Sequence, residues 1–169
     1  MKTTRYRRLG ACLAVLVLLA GMAGPGHTAG AGGHDNDPAA LLALVNSYRV
    51  DQGLSPLTAD SRLDMAAQRH AEAMAAQGFF SHRTPAGQGL RERLAAAGYA
   101  FLLAAENLAH GQADAAAAFA AWRDSPGHDR NMRLAAARRA GVGLVRQLKR
   151  TGDGINPPIW VFIFATPQQ

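Results

Sequence analysis

The chain of 169 residues has a single cysteine, Cys12, and it lies inside an N-terminal apolar run. With that run removed on export, the protein has no thiol, which excludes disulfides, thiolate metal sites and a cysteine nucleophile. Long apolar stretches are equally scarce. Leu9 to Met22 is the one candidate, shorter than the about 20 residues that span a bilayer. No later segment reaches that length, which excludes an integral membrane protein and any transmembrane segment in the mature chain. A concentrated basic face is missing too. The full chain carries 18 basic against 12 acidic side chains, a net +6, but four basic residues and no acid precede Ala29, leaving 14 against 12, or +2. Nucleic-acid binding needs a clustered basic footprint, so no nucleic-acid partner is expected. Two metalloenzyme signatures are absent as well. His70-Ala71-Glu72 has the first half of the zinc-deaminase pattern without its later cysteine pair, and there is no HExxH.

What is present begins with an export signal. Lys2, Arg5, Arg7 and Arg8 lead into the apolar run, and small residues follow at Thr28-Ala29-Gly30-Ala31. A basic start, a short apolar stretch and a small-residue exit describe a secretory signal peptide. Leu9-Gly10-Ala11-Cys12 has the look of a lipoprotein box but opens the apolar run instead of ending it, so lipidation is rejected. Arg7-Arg8 raises a twin-arginine signal, which the residues after it match poorly; the export route stays open. The division expected is a signal peptide at 1–29, a Gly-rich flexible leader at 30–37 and one domain at 38–169, secreted to the periplasm or the extracellular space. Its roughly 140 residues suffice to bury about two-thirds of the unfolded chain's surface in one core.

Along that domain, Asp37 and Pro38 suit the start of a helix. Leu41, Leu44, Val45 and Tyr48 recur at helical spacing before Gly53 stops the run. A second helix is predicted from Ala59 to Gln77, capped by Thr58 and ended by Gly78, with Leu63, Ala66, Ala67, His70, Ala71 and Met74 on one face. Phe79 to Pro85 reads as a loop, Gln88 to Ala97 as a short helix ending at Gly98, and Tyr99 to His110 as either an extended segment or a loop. Asp114 caps a fourth helix reaching Trp122 or Arg123, which Ser125-Pro126-Gly127 ends. Val142, Leu144 and Leu148 fit a strand, and Ile159 to Ala165 fits a buried one. Thr151 to Pro158 between them is turn material. Helices first and strands last indicate an α+β layered domain.

Six histidines are the main chemical resource. His27 and His34 fall in or beside the leader, His110 in a polar connection, and His70 on the apolar face of the second helix, where a hydrogen-bonded core histidine is favoured. His82 and His128 each sit in a Gly/Pro/Ser-containing segment at a helix boundary, where binding and catalytic groups are common. Glu106 lies among apolar residues that would bury it, and a buried carboxylate needs a cation, a metal or hydrogen-bond donors. Two imidazoles and one carboxylate make a Zn²⁺ set with an open fourth position, though sequence spacing alone does not assemble it. The basic run Arg130, Arg133, Arg138, Arg139, Arg146, Lys149 and Arg150 reads as a solvated surface, with an anionic envelope or lipid surface as the alternative.

Several pieces occur in one order: Leu44-Val45-Asn46-Ser47-Tyr48-Arg49, Gly53-Leu54-Ser55-Pro56-Leu57, Gly78-Phe79-Phe80-Ser81-His82, Glu106-Asn107-Leu108-Ala109, Trp122, Ser125-Pro126-Gly127-His128-Asp129-Arg130-Asn131, Gly141-Val142-Gly143 and Trp160-Val161-Phe162. Together they resemble the CAP superfamily (the SCP domain), and within it the compact, cysteine-free bacterial branch. The resemblance runs from Pro38 to Thr166. It implies an α-β-α sandwich with a central antiparallel sheet and a surface cleft where many members carry two histidines and two acids, sometimes holding a divalent metal. His82 and His128 match the two histidines and Glu106 one acid, which makes these three the metal-site candidates and zinc the candidate cofactor. At the position of the second acid this chain has Ser125, and Ala105 stands where many relatives have glycine. Asn107 and Asn131 read as bridges to backbone, and Trp122 as core.

The first functional reading is a secreted binding module of the cell envelope or extracellular space, with a lipid, a peptide or an envelope glycan as partner. The alternative is a metal-dependent hydrolase, peptidase-like, in which a bound metal activates water; the absent second acid counts against it. A third is a structural envelope protein whose cleft residues form only a hydrogen-bond network.

Overall fold

Helix starts follow from which residue can answer the first free amides. The computed structural model describes residues 38–146, 150–151, 154–155 and 157–168, so the segments expected as a signal peptide (1–29) and a leader (30–37) lie outside the described residues. α1 (Pro38–Asp51) opens on its proline. α2 (Ser61–Gln77) is capped by Asp60, whose carboxylate accepts from the Arg62 amide, and closes on left-handed Gly78. The expected cap, Thr58, instead enters a short strand, because Asp60 is the stronger cap two residues later. α3 (Leu90–Ala96) starts after Gly89, whose N–H donates to Glu92 Oε2 at 2.7 Å. α4 (Ala115–Arg123) is capped by Asp114, which accepts from Ala117 N at 2.7 Å. Ser125-Pro126-Gly127 does more than end it. Pro126 sits at the first position of a fifth helix, α5 (Pro126–Met132), where its missing N–H costs nothing; His128 and Asn131 are therefore helical residues.

The strands are β1 (Thr58–Ala59), β2 (Phe101–His110), β3 (Arg139–Val145), the short pair β4 (Arg150–Thr151) and β5 (Gly154–Ile155), and β6 (Ile159–Pro167). Tyr99 to His110 thus resolves as extended from Phe101 onward. The stretch read as turn material contains the β4–β5 pairing, while Leu148, expected in a strand, lies outside the described residues. The main sheet has the order β1-β3-β6-β2. β6 pairs antiparallel with β2 and β3, and only the two-residue β1–β3 ladder is parallel.

Successive strand residues face opposite sides, and β6 is buried on both. Trp160, Phe162 and Phe164 pack with Leu41, Val45, Trp122, Met132 and Val142, beneath α1, α4 and α5. Ile159, Val161, Ile163 and Ala165 pack with Leu63, Ala67, Met74, Leu94 and Tyr99, beneath α2 and α3. The result is an α-β-α sandwich with two cores, in which each large fully buried apolar side chain contributes about 1.5–3 kcal/mol.

Glycine sets the distance between α2 and the sheet. A Cβ on Gly141 would collide with the Leu63 carbonyl carbon, and one on Gly143 with that of Ala67. The same closeness lets α2 satisfy strand amides: Val142 N–H donates to Asp64 Oδ1 and Leu144 N–H to Gln68 Oε1, both at 2.9 Å. On the other side of the sheet Arg49, fully buried, donates to the carbonyls of Ser55 (3.0 Å), Met132 (2.7 Å) and Leu134 (3.1 Å), fixing the chain after α5 to α1. Asn46 ties Leu57 to α1 by two hydrogen bonds, 2.9 Å from Nδ2 to the carbonyl oxygen and 2.7 Å from the amide to Oδ1.

Candidate functional site

β2 is the last strand of the sheet, and its Glu106 and Asn107 are consecutive, so they face opposite layers. Glu106 faces α3. Its side chain is 3% exposed and is held by three hydrogen bonds: Arg93 Nη1 donates to Oε2 at 2.7 Å, Arg93 Nη2 to Oε1 at 3.0 Å, and His82 Nδ1 lies 2.8 Å from Oε1. Arg93 Nη2 also donates to the His82 carbonyl at 3.1 Å, which positions the loop carrying that imidazole. Burial alone would raise the Glu106 carboxyl, but the bonds from His82 and Arg93 and the adjacent guanidinium charge outweigh it and hold the group below the ordinary carboxylate value. It is an anion at neutral pH with its charge already matched.

Asn107 faces α5. Its Nδ2 donates to the His128 carbonyl at 3.1 Å, and its Oδ1 accepts from Asn131 Nδ2 at 2.8 Å. Asn131 Nδ2 also reaches the Glu106 carbonyl at 3.3 Å. Both asparagines are thus bridges, as their sequence context suggests. Trp122 is core, 1% exposed, with its indole N–H donating to Leu108 O at 2.8 Å, and its ring lies 6.5 Å from that of His128. Partial burial, with the nearby His82 second, holds the His128 imidazole below its ordinary pKa. His82 is the open one, its side chain 58% exposed and its Nε2 without a hydrogen bond among the described residues.

The three sequence candidates therefore assemble unequally. His82 and Glu106 touch; His128 joins them through Asn107 and the Asn131 bridge. Arg93 is the member that sequence reasoning missed. It sits in a helix whose pattern gives no reason to single out one arginine, and only the fold brings it to a carboxylate 13 residues on. A metal ion does not fit this set. Both Glu106 oxygens already accept from a guanidinium, and among the described residues no group of three His, Cys, Asp or Glu side chains is arranged to hold one. The two nearby aspartates do not complete a site either. Asp129 accepts from Tyr48 Oη at 2.6 Å and pairs with Arg133 at 2.7 Å, and Asp124 is exposed at the end of α4. Among the other histidines, His110 is exposed at the end of β2 and stacks on Phe80 with centroids 5.3 Å apart, while His70 is buried as expected. In the basic run, Arg133 is committed to Asp129 and Arg138 to the carbonyls of Ala135 and Ala137.

Comparison with known proteins places this arrangement. The uncharacterised protein YkwD of Bacillus subtilis (strain 168) is 30% identical over 105 residues, covering 62% of this chain and 41% of that protein. The chain thus spans about two-fifths of the length of that relative. Among solved structures, an extracellular protein containing an SCP domain from Bacillus anthracis aligns with a TM-score of 0.66 at 27% identity, over 76% of this chain and 39% of that one. An outer surface protein from Borrelia burgdorferi shares the fold, with a TM-score of 0.68 at 22% identity over 77% of this chain and 92% of its own. Residues 42–164 match the model of the cysteine-rich secretory protein family, CAP, and with that match over most of its length the chain belongs to the CAP family.

Proposed function

We propose that this CAP domain is an extracytoplasmic binding module that receives a polar group of a lipid, peptide or envelope glycan on His82 and His128, in the surface cleft that the family resemblance implies. The observation that carries the reading is the closed Arg93–Glu106 pair. A carboxylate gripped at both oxygens and held below its ordinary pKa is a poor general base and a poor metal ligand, but a rigid backstop for the imidazole bonded to it. His82 Nδ1 is fixed by that backstop, so Nε2 points to solvent in a defined tautomer, ready to exchange a hydrogen bond with a ligand. Export is consistent with the basic, apolar, small-residue order of the first 29 residues. No helix among the described residues is long and apolar enough to cross a membrane.

The rival reading, a hydrolase, draws on the same contact, because a carboxylate-bound imidazole is how many enzymes orient a general base. It lacks a partner for that base: among the described residues no hydroxyl is hydrogen-bonded to His82 or His128, Ser125 included. The discriminating experiment presents the immobilised protein with lipid vesicles, peptidoglycan fragments and peptides, beside His82→Ala and His128→Ala. Saturable capture weakened in both variants, with the ligand recovered intact, supports the module. Ligand recovered cleaved would establish the hydrolase, and capture unchanged by both substitutions would remove the cleft from the account.

A further inference from the structure

Consecutive phenylalanines after α2 go to different environments. Phe79 packs against the core beneath α2 and α3, while Phe80 is 49% exposed. The Phe80 ring stacks on that of His110, itself exposed, with centroids 5.3 Å apart and 28° between the planes. His82, two residues on, bonds Glu106 and leaves 58% of its side chain in solvent. Glu106 and His110 are four residues apart on β2, so their side chains share one face of the sheet. Phe80 and His82 therefore meet that face together, from Cα atoms at most about 7 Å apart along the chain.

Every residue of this short segment is pinned to a different partner. Phe80 rests on His110, and the Ser81 carbonyl oxygen lies 2.9 Å from His70 Nε2 on α2. His82 is fixed at its ring by Glu106 and at its carbonyl by Arg93 Nη2, 3.1 Å away. Arg83, the next residue, donates to the Gly87 carbonyl at 3.0 Å. A carboxylate only accepts, so His82 Nδ1 carries the proton and Nε2 of the neutral ring presents a lone pair. The segment thus offers an exposed aromatic pair and one exposed acceptor, both held before any ligand arrives.

Those two features discriminate among ligands. An acyl chain needs a continuous apolar track, and among the described residues the other exposed large apolar side chains are elsewhere: Val50 on α1, Met65 on α2 and Leu102 at the far end of β2. An extended peptide would add to the edge strand β2 through its main chain. There the carbonyls of Glu106 and Leu108 already accept from Asn131 Nδ2 at 3.3 Å and from the Trp122 indole at 2.8 Å. A sugar needs neither. Its C–H face lies on the electron-rich face of an aromatic ring, and its hydroxyls donate to an imidazole lone pair. We propose that Phe80 and His110 form a platform for a sugar ring, one hydroxyl of which donates to His82 Nε2. This rests on the reading of His82 as a binding residue and names a glycan as the ligand it serves.

The test is an NMR titration of the isotope-labelled full chain with tri-N-acetylglucosamine, beside phosphatidylglycerol vesicles and a strand-forming Thr/Lys decapeptide. The Phe80 ring carbons and the His82 and His110 ring nitrogens are read. The expected result is saturable shifts of the Phe80 ring and His82 Nε2 with the trisaccharide. Phe80→Ala weakens that binding about tenfold or more, and Phe80→Trp, which keeps an aromatic face, retains it; melting curves confirm that both variants fold. Binding unchanged in Phe80→Ala, or lost equally in Phe80→Trp, overturns the platform. No saturable trisaccharide shift up to about 10 mM, where a millimolar Kd would be about nine-tenths saturated, overturns the proposal. If vesicles or decapeptide then still shift His82, the binding-module reading stands without it; if neither does, both fall.

Discussion

Arg93 grips Glu106 with two nearly parallel hydrogen bonds, 2.7 and 3.0 Å long, between side chains that are 9% and 3% exposed. Removing one partner of such a buried pair strands the other charge, at a cost of about 3–5 kcal/mol. Arg93→Met and Glu106→Leu should each lower stability by that order in urea unfolding. The double variant should lose far less than the sum, because it buries no orphan charge. Additive losses would show that the two side chains do not act as a pair.

Arg49 is a buried cation whose hydrogen bonds go to backbone carbonyls and not to a carboxylate. Arg49→Met leaves those carbonyls unanswered and should cost about 3 kcal/mol or more. Arg49→Lys keeps the charge but loses the fork that reaches several carbonyls, and should recover only part of the loss. Full recovery in the lysine variant would mean that charge alone matters there.

Gly141→Ala tests the seating of α2. Its new Cβ meets the backbone of Leu63 and Asp64, which cannot rotate away as a side chain tip could. Overpacking of this kind costs about 1–3 kcal/mol and more against backbone, and it should also weaken the Asp64–Val142 bond. The expected outcome is a lowered melting temperature with faster hydrogen exchange at the Val142 amide; an unchanged melting curve would contradict the close approach.

Acid should destabilise this protein, and two kinds of group act in the same direction. Burial, with Arg93 second, holds His70 below its ordinary pKa, and burial with His82 does the same to His128. Between the folded and unfolded values the unfolded chain binds more protons, so stability falls as pH drops below the ordinary histidine value. Glu106, depressed despite burial, adds stability that is fully present above the ordinary carboxylate value and lost as pH falls through its folded one. Urea midpoints should therefore decline in two stages, first below about pH 6.5 and again below about pH 4.3. His70→Gln should flatten the first stage; an unaltered first stage would clear His70 of the effect.

Zinc titration calorimetry, beside His82→Ala and His128→Ala, should give no saturable heat shared by the two histidines, because Arg93 already occupies the carboxylate they would need. One-to-one binding lost in both variants would mean that the guanidinium yields its place to a metal.

The layered class was legible because burial leaves a period in the sequence. Ile159 to Ala165 is apolar without alternation and became the strand buried on both faces; Leu63 to Met74 repeats at helical spacing and became the buried face of α2. Local punctuation was less decisive. Ser125-Pro126-Gly127 can stop one helix or start the next, and no local signal says that it does both. Glu106 was singled out because a carboxylate among apolar residues must have a partner, yet the partner's identity was not written nearby.

The sequence by itself determined the first four helices, the buried strand β6 and the residues that burial would force to find partners, since these depend on composition and short-range period. Only the tertiary structure decided that Arg93 answers Glu106, that consecutive Glu106 and Asn107 divide the two histidines between opposite layers, and that Phe80 stacks on His110. Those are distances between segments far apart in the chain. They are set by how two cores pack against one sheet, and a one-dimensional pattern holds no record of them.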